Sequence, residues 1–336
     1  MLEIRPEDWL TRRRLEDSGP MLVFHARDKL ATGLARGSFR LLGALADHAV
    51  AAGWAAEIVP YARETVDLAV AQGGHLHVVL EDRPVYAPNV FHAVPGYLRG
   101  WWYFDELATR NNSSNRLRQF DPRLVAGKFA EGFHARLAEQ FIPENFSKFE
   151  QLPRGQLSVP PGCLALFAQD FKTPRWHSHY LSVPELIQAA ILARGDRPLC
   201  IKPHPNNAPE ELEWIARQNA PERGVHVTDA SIHDLLAACD CALTVTSAVG
   251  FEAFLHRKPV VLAGQTDFAQ NAITLTDRRR LPEAMAAAMA RDWPHEKFVT
   301  WFLRQNCVED HPRALPAVLA CIRAKGIRIG ADEGFY

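Results

Sequence analysis

Short apolar runs alternate with amphipathic stretches along much of the chain. The run MLVFHA is followed by a stretch at 39–52 whose apolar residues Leu41, Leu42 and Leu45 recur at helical spacing, and AAEIVP and HLHVVL supply two further runs. Apolar runs of this length are typical of buried parallel strands, and the amphipathic stretches between them are typical of crossover helices. This part of the chain is therefore predicted to form βαβ units around a parallel sheet.

The same alternation returns after residue 160 and is more regular there. The predicted strands are GCLALFAQD, PLCIKP, GVHVTD, CALTVT and KPVVLAG. The helices between them begin at residues that can cap a helix N-terminus, in the first three cases with an acid three residues later: Ser182, Asn207, Ser231 and Ser247. Further helices are predicted at 281–291, 296–304 and 315–324.

Residues 84–157 lack this alternation and contain the runs GYLRGWWYFDE and RNNSSNRLRQFDP. Long loops of this kind are more often functional than accidental. We interpret the aromatic side chains at 101–103 as core, with a sugar-stacking platform as the alternative. With a linker near 151–156, the prediction is an α/β protein with an N-terminal acceptor-side lobe (1–155), a C-terminal nucleotide-sugar-binding lobe (156–310) and a C-terminal helix (311–336) that packs back on the first lobe.

Length, charge and composition exclude several classes of function. The chain has 336 residues, enough for two domains, and a formal net charge of −1, which gives no electrostatic case for a nucleic-acid partner. It contains no apolar run of the ~18–20 residues that a membrane helix needs, and its first residues are charged. The six cysteines form no C-x-x-C pair and the 14 histidines show no zinc-binding spacing. We expect a cytoplasmic protein with no metal and no cofactor.

Two predicted strand ends carry residues suited to an anionic ligand, because ligands of open parallel sheets bind at the carboxyl ends of the strands. At the first, Lys202 and His204 stand two residues apart between prolines and could contact a phosphate. The alternative is a solvated lysine and a histidine that fixes the loop.

At the second strand end, a buried strand runs into a helix whose first turn carries hydroxyl groups. Thr246 and Ser247 could receive a phosphate, Gly250 would allow close approach, and Glu252 could accept hydrogen bonds from ribose hydroxyls. The alternative is that Ser247 acts only as a helix cap.

These motifs together resemble a known family. The stretches KPHP at 202–205 and TSAVGFEAF at 246–254, followed by KPV at 258–260 and Gly264, are similar to the capsule polysaccharide synthesis family, which includes β-Kdo transferases of capsule and lipopolysaccharide assembly. A weaker similarity lies earlier in the chain, in GYLR at 96–99, WYFD at 102–105 and NSS at 112–114.

The resemblance implies a GT-B-like glycosyltransferase, with two Rossmann-like lobes whose parallel sheets face a cleft and with no required metal. The second lobe would bind the nucleotide-sugar donor, which is CMP-linked in the Kdo-type members and the similar sialyltransferases. Carried over to this chain, His204 and Ser247 would hold the phosphate. Lys202 and Thr246 would assist them, and Glu252 would lie near the ribose.

One departure concerns the catalytic carboxylate. The family usually carries Q-x-x-x-D after the first strand of the second lobe, but here Gln169 is followed four residues later by Thr173, while Asp170 is adjacent and His177 matches the family's next motif. Either a short deletion aligns Asp170 with the catalytic carboxylate or that carboxylate is absent. If it is present, Asp170 would attack the anomeric carbon or act as a base, next to Gln169.

Basic residues of the predicted first lobe are candidates for the acceptor or for a sugar carboxylate. His25 and Arg27 follow the first strand, and Arg99 could bind a carboxylate with two parallel hydrogen bonds.

The expected function is therefore transfer of Kdo or a similar acidic sugar from a CMP-activated donor to a glycan or glycolipid acceptor of a bacterial capsule or other surface polysaccharide. Peripheral association with membrane-bound assembly machinery, at the inner face of the membrane, belongs to this expectation. One alternative is a UDP- or CDP-dependent glycosyl or polyol-phosphate transferase, because teichoic-acid polymerases share a K-x-H-P-like motif. Another is a non-catalytic member that binds nucleotide or glycan within an assembly complex.

Overall fold

The computed structural model describes residues 2–3, 19–71, 74–171 and 178–330, which divide into two compact units. The first unit contains the chain up to residue 96, residues 100–118 and the chain from residue 306, and the second unit contains residues 97–99 and 119–305. The predicted boundary after residue 155 is replaced by one after residue 118. The reason is that the segment after residue 118 bonds to the second unit, for example through the Phe120 N–H, which donates to the side chain of Gln270.

Strands and helices follow one another in the order expected of a parallel α/β protein. The strands are β1 (Leu2–Glu3), β2 (Met21–Ala26), β3 (Ala55–Pro60), β4 (His75–Val79), β5 (Val90–His92), β6 (Trp101–Trp102), β7 (Cys163–Phe167), β8 (Leu199–Lys202), β9 (Val225–Val227), β10 (Cys239–Thr244), β11 (Val260–Leu262), β12 (Ile273–Thr274) and β13 (Val308–Glu309). The helices are α1 (Asp28–Ala35), α2 (Arg40–Ala51), α3 (Arg63–Ala71), α4 (Gly127–Phe141), α5 (Val183–Ala193), α6 (Pro209–Ala216), α7 (Ile232–Ala238), α8 (Val249–Leu255), α9 (Leu281–Ala290), α10 (His295–Asn306) and α11 (Leu315–Ala324).

The first unit is built on a five-stranded sheet in the order β1-β3-β2-β4-β5, in which every pair is parallel. All six residues of β2 are buried, as its continuous apolar run predicts. One face of the sheet packs on α1, α2 and α11, and Val318 and Ile322 of α11 enter the same hydrophobic cluster as Phe24 and Leu42. The predicted parallel α/β class is confirmed here.

The second unit contains a six-stranded parallel sheet in the order β12-β11-β10-β7-β8-β9. Its first strand, β7, lies in the middle, and the chain builds outward first through β8 and β9 and then through β10, β11 and β12. This is the doubly wound order of dinucleotide-binding folds, in which the direction of winding reverses between the first and fourth strands. The carboxyl ends of β7 and β10 therefore flank the topological switch point.

The predicted helix caps are confirmed at two helices, and at the other two the cap lies one residue later than predicted, at Ala208 and Ala248. Ser182 forms a full capping box with Glu185, and the Ser231 hydroxyl accepts from a main-chain N–H of α7. At α6 the cap position is Ala208 rather than Asn207, and Glu211 rather than Glu210 bonds back to its N–H, at 3.1 Å. Asn207 is thereby released for the contacts described below.

The aromatic run of the middle segment belongs to the core. Trp101, Trp102 and Tyr103 are all buried, so the interpretation as core is confirmed and the stacking platform is wrong. Among the described residues, no helix has both the length and the apolar character needed to cross a membrane.

Candidate nucleotide-sugar site

Gln169 joins the two sides of the switch point in the second unit. It follows β7, and its amide oxygen accepts from the Thr246 N–H at 2.8 Å while its amide nitrogen donates to the Thr246 hydroxyl at 3.2 Å. Because Thr246 follows β10, the pair ties together the two loops between which ligands of this strand order bind. Both polar groups of the Gln169 side chain are used in this tie, which holds the two loops in position, and its catalytic role stays a prediction.

Two buried side chains, the amide of Asn207 and the carboxylate of Glu211, hold these loops through hydrogen bonds. Asn207 donates to the Gln169 carbonyl oxygen at 2.9 Å and to Glu211 at 2.8 Å, and its own oxygen accepts from the His204 N–H at 2.7 Å. Glu211 also accepts from the Phe171 N–H at 3.0 Å. Sequence reasoning missed both side chains as site residues. Asn207 was interpreted as a helix cap, and a buried Glu in a first helical turn gives no local signal.

The imidazole of His204 is held in one orientation. Its Nδ1 accepts from the Asn206 N–H at 3.1 Å, and its ring meets the Phe149 ring edge-on at a centroid distance of 4.9 Å. Burial lowers the pKa of His204 and the Lys148 ammonium lowers it further, whereas Asp170 opposes the shift. The neutral ring with Nδ1 as acceptor carries its proton on Nε2, which is therefore a hydrogen-bond donor available to a ligand.

The ammonium of Lys202 has a different use from the predicted one. It donates to the carbonyl oxygens of Asp229 and Ala230 at 3.1 and 2.9 Å, in the loop that follows β9. Burial lowers the pKa of this ammonium, and Asp229 opposes that shift. Lys202 thus anchors the neighbouring loop with two of its three N–H groups instead of pointing freely to a phosphate.

The turn after β10 fulfils part of its predicted role. The Ser247 hydroxyl accepts from the Val249 N–H at 3.3 Å, at the start of α8. Gly250 does not provide room for a ligand: a Cβ there would lie 3.3 Å from the Phe268 ring and from the Thr244 methyl group. Its lack of a side chain is therefore explained by packing inside the unit.

Glu252 is buried in α8, with 1% of its surface exposed. One carboxyl oxygen, Oε1, accepts from the Ser147 hydroxyl at 3.0 Å, and Oε2 has no hydrogen-bond partner among the described residues. Burial raises the pKa of this carboxyl to about 8, opposed by Ser147 and Lys148. A carboxyl with this pKa is protonated at neutral pH and can still accept a hydrogen bond. Its burial, however, means that the predicted role as an acceptor for ribose hydroxyls would require a local rearrangement.

Asp170 is exposed at the end of β7 and lies close enough to His179 and His204 for its charge to oppose the lowered pKa of both imidazoles. Asp170 is therefore an exposed carboxylate next to Gln169, beside the switch point. Thr173 and His177, which define the departure from the family pattern, lie outside the described residues.

The predicted linker near 151–156 is instead part of a strap, residues 145–155, that is bonded to the second unit along its length. Gly155 N–H and Arg154 both donate to Asp234, at 2.7 and 2.9 Å, and the Phe146 carbonyl accepts from His233 at 2.9 Å. The strap also supplies the Ser147 and Phe149 contacts to Glu252 and His204. A Pro- and polar-rich stretch gives no indication of such long-range bonding, which is why it was interpreted as a linker.

Arg99 belongs to the second unit rather than to the predicted first lobe. Its neighbour Tyr97 is buried there and donates to Asp267 at 2.8 Å, and the ring of Tyr97 stacks on Phe251 at 5.5 Å. The Arg99 guanidinium is thereby brought over the Phe146 ring of the strap, at 5.6 Å from its centroid.

In the first unit, the two predicted acceptor residues have different environments. His25 is buried in β2, stacks on His77 and shares a 2.9 Å hydrogen bond with it, and burial lowers the pKa of His25 to about 3. It is a core residue, contrary to the prediction. Arg27 follows β2, donates to Glu81 at 2.6 Å and lies 5.0 Å from the Tyr61 ring centroid, half exposed at the carboxyl end of the sheet.

The early motifs of the family have a structural explanation in the first unit. The buried Asp105 carboxylate accepts from the N–H groups of Leu107 and Ala108 and from both the N–H and the hydroxyl of Ser114, at 2.6–3.2 Å. The aspartate and the serine of these motifs therefore fix a loop and perform no evident chemistry. Separately, no group of three or more His, Cys, Asp or Glu side chains in the described part of the chain is arranged to hold a metal ion.

Comparison with known proteins agrees with this architecture. The solved structure of Thermosulfurimonas dismutans KpsC, beta Kdo 2,7 transferase, superimposes with a TM-score of 0.52 at 14% identity, over 91% of this chain and 99% of that one. A second structure, Thermosulfurimonas dismutans KpsC, beta Kdo 2,4 transferase, gives a TM-score of 0.47 at 15% identity, over 83% of this chain and 89% of that one. No curated protein sequence matches the chain. The two doubly wound units and this likeness define a protein of the GT-B fold class.

A family match covers part of the second unit. Residues 174–299 match the family described as capsule polysaccharide biosynthesis protein, a range that includes both the KPHP and the TSAVGFEAF stretches. The predicted resemblance to the capsule polysaccharide synthesis family is thereby confirmed. The matched range begins after Gln169 and Asp170, so it leaves the assignment of the catalytic carboxylate open.

Proposed function

We propose that the protein is a glycosyltransferase of capsule or related surface polysaccharide synthesis, with a nucleotide-sugar donor bound by the second unit. The observation that carries this proposal is the tie between Gln169 and Thr246 at the switch point, with the His204 imidazole beside it. Ligands of doubly wound sheets bind at such a point. The family match supports the biological setting.

The donor phosphate would accept a hydrogen bond from His204 Nε2–H, and the turn at Ser247 would contact it from the β10 side. As the bond between the anomeric carbon and the phosphate oxygen breaks, the electron pair goes to the phosphate, and a neutral donor already in place stabilises the developing charge. Asp170 would either attack the anomeric carbon and be displaced by the acceptor hydroxyl or remove the proton of that hydroxyl.

The finer part of the proposal is a CMP-linked donor carrying Kdo or a similar acidic sugar. Such a sugar has a carboxylate, and the exposed guanidinium of Arg99, which lies over the Phe146 ring of the strap, belongs to the same unit as the proposed phosphate site. Arg27 in the first unit remains a candidate for the acceptor, because it lies at the carboxyl end of the sheet between β2 and β4.

Binding is tested with a thermal-shift panel of CMP, CDP, UDP, GDP and ADP. A ligand present at 100 times its dissociation constant should stabilise the native protein by about 2.7 kcal/mol. We expect a shift with CMP that is reduced in His204→Ala. A preference for UDP would replace the donor and favour the UDP-dependent alternative, and the absence of any shift would refute the proposal.

Turnover separates the enzyme from a binding protein. Asp170→Asn should abolish hydrolysis or transfer of the nucleotide sugar while leaving the nucleotide affinity within about twofold of wild type. Unchanged turnover in this variant would rule out Asp170 as the catalytic carboxylate. Nucleotide binding without turnover in the wild-type protein would favour the non-catalytic alternative.

A further inference from the structure

The strap contacts both the proposed phosphate-binding residue, His204, and the buried acid of α8, Glu252. Ser147 Oγ donates to Glu252 at 3.0 Å, and the Phe149 ring lies 4.9 Å from the His204 ring. Lys148 stands between these two contacts in the chain, and its side chain is exposed. Its Nζ lies 5.6 Å from the Phe149 ring centroid. The Lys148 ammonium therefore lies beside an aromatic ring that itself contacts the His204 imidazole.

The electrostatic effects of Lys148 agree with this position. Its charge lowers the pKa of His204 and also lowers that of Glu252, so it lies near enough to act on both groups. The anchored ends of the strap, at Asn145 and Arg154, limit how far this segment can move away.

The cation that the sequence assigned to the phosphate site, Lys202, is directed mainly to other groups. Lys202 donates to two main-chain carbonyl oxygens, and His204 is a neutral donor. The phosphodiester of a CMP-linked donor carries one negative charge and the released CMP carries up to two, and charge-assisted hydrogen bonds are about twice as strong as neutral ones. A cation beside His204 would therefore contribute much of the phosphate affinity.

We propose that Lys148 of the strap, rather than Lys202, supplies the positive charge that binds the donor phosphate next to His204. The inference rests on the proposed function, since it adds a binding residue to the same site. The strap would then line the donor site. Ser147 and Phe149 would position Lys148 for its contact with the phosphate.

The test compares nucleotides with their nucleosides in calorimetric titrations of the full chain. Lys148→Ala should weaken binding of CMP, or of UMP if the protein selects uridine, about tenfold, the value of one charge-assisted hydrogen bond. Cytidine or uridine affinity should stay within about twofold. The matched control Lys128→Ala, an exposed lysine of α4 in the same unit, should bind like wild type. Lys148→Arg should retain most of the affinity.

A second measurement does not require a ligand. Removing a nearby positive charge should raise the pKa of His204, which can be followed by NMR of its ring protons in wild type and Lys148→Ala. Equal CMP affinities of wild type and Lys148→Ala would overturn the inference while leaving the proposed function intact. An equal loss for CMP and cytidine would also overturn it, because the lysine would then support the fold rather than the phosphate. If wild type bound no nucleotide at all, the proposed function would fail as well.

Discussion

Glu252→Gln should stabilise the protein at neutral pH and have little effect in acid. The carboxyl is fully buried in α8 and its pKa is raised to about 8 from an ordinary value of 4.5. In the unfolded chain it ionises above pH 4.5, whereas in the native state it must keep its proton or become a buried charge. The folding stability from this group is therefore complete below pH 4.5 and is lost as the pH rises towards 8. Because pH 7 lies 2.5 units above the pKa of the unfolded chain, the folding stability lost at this pH is about 3 kcal/mol.

Glutamine has nearly the same shape and carries no charge at any of these pH values. Its amide oxygen can still accept from Ser147, so the variant should unfold with a free energy about 3 kcal/mol above wild type at pH 7 and about equal to it at pH 4.5. Urea denaturation followed by tryptophan fluorescence at both pH values measures the difference. Glu139→Gln on the exposed face of α4 is the matched control and should show the same small change at both. A Glu252→Gln difference that did not depend on pH would refute the reasoning.

Three further changes test the packing and the hydrogen bonds of the two units. Gly264→Ala should destabilise by about 1–3 kcal/mol, because its Cβ would lie 2.5 Å from the Thr246 methyl carbon, whereas Gly132→Ala, with open space around it in α4, should be neutral or stabilising; equal thermal midpoints would contradict this. Burial lowers the pKa of His25 from 6.5 to about 3, so the folding stability from this ring is present above pH 6.5 and is lost as the pH falls, by about 2 kcal/mol at pH 5. His25→Gln should flatten that part of the pH dependence of stability in urea titrations, even if it lowers the stability at pH 7. Asn207→Ala should lower the free energy of unfolding by about 2–4 kcal/mol and weaken nucleotide binding, because it removes three hydrogen bonds that hold the loops after β7 and β8. A loss below about 1 kcal/mol in denaturant unfolding would show that water replaces these bonds.

The strands β2–β4 and β7–β11 and most of the helices could be predicted because their signals are local, whereas the short strands β5, β6, β12 and β13 and the helices α1 and α4 were missed. A continuous apolar run, a serine cap or a helical repeat lies within a few residues of the element that it defines, as at β2 and α5. The motifs around His204 and Ser247 could be found for the same reason, since each lies on a single strand end.

What could not be predicted depends on residues far apart in the chain. The Lys202 ammonium donates to carbonyl groups 27 and 28 residues later in the chain. Arg99 belongs to the second unit because Tyr97 is buried against Phe251, which lies more than 150 residues later. Gly250 is a glycine because of Phe268, not because of a ligand. In each case the local residue types permit several roles, and tertiary packing selects one.

The division of the chain also determines the order in which the protein can fold during synthesis. The second unit consists almost entirely of residues 119–305, so all of its sheet has been made before the ribosome reaches residue 306. The first unit takes Val318, Ile322 and Ile327 from the region beyond that point into its main hydrophobic cluster. Domains generally fold as units and in most chains the N-terminal one folds first. Here the first unit also needs residues beyond 306, so we expect its main hydrophobic cluster to be completed only after the sheet of the second unit has been made.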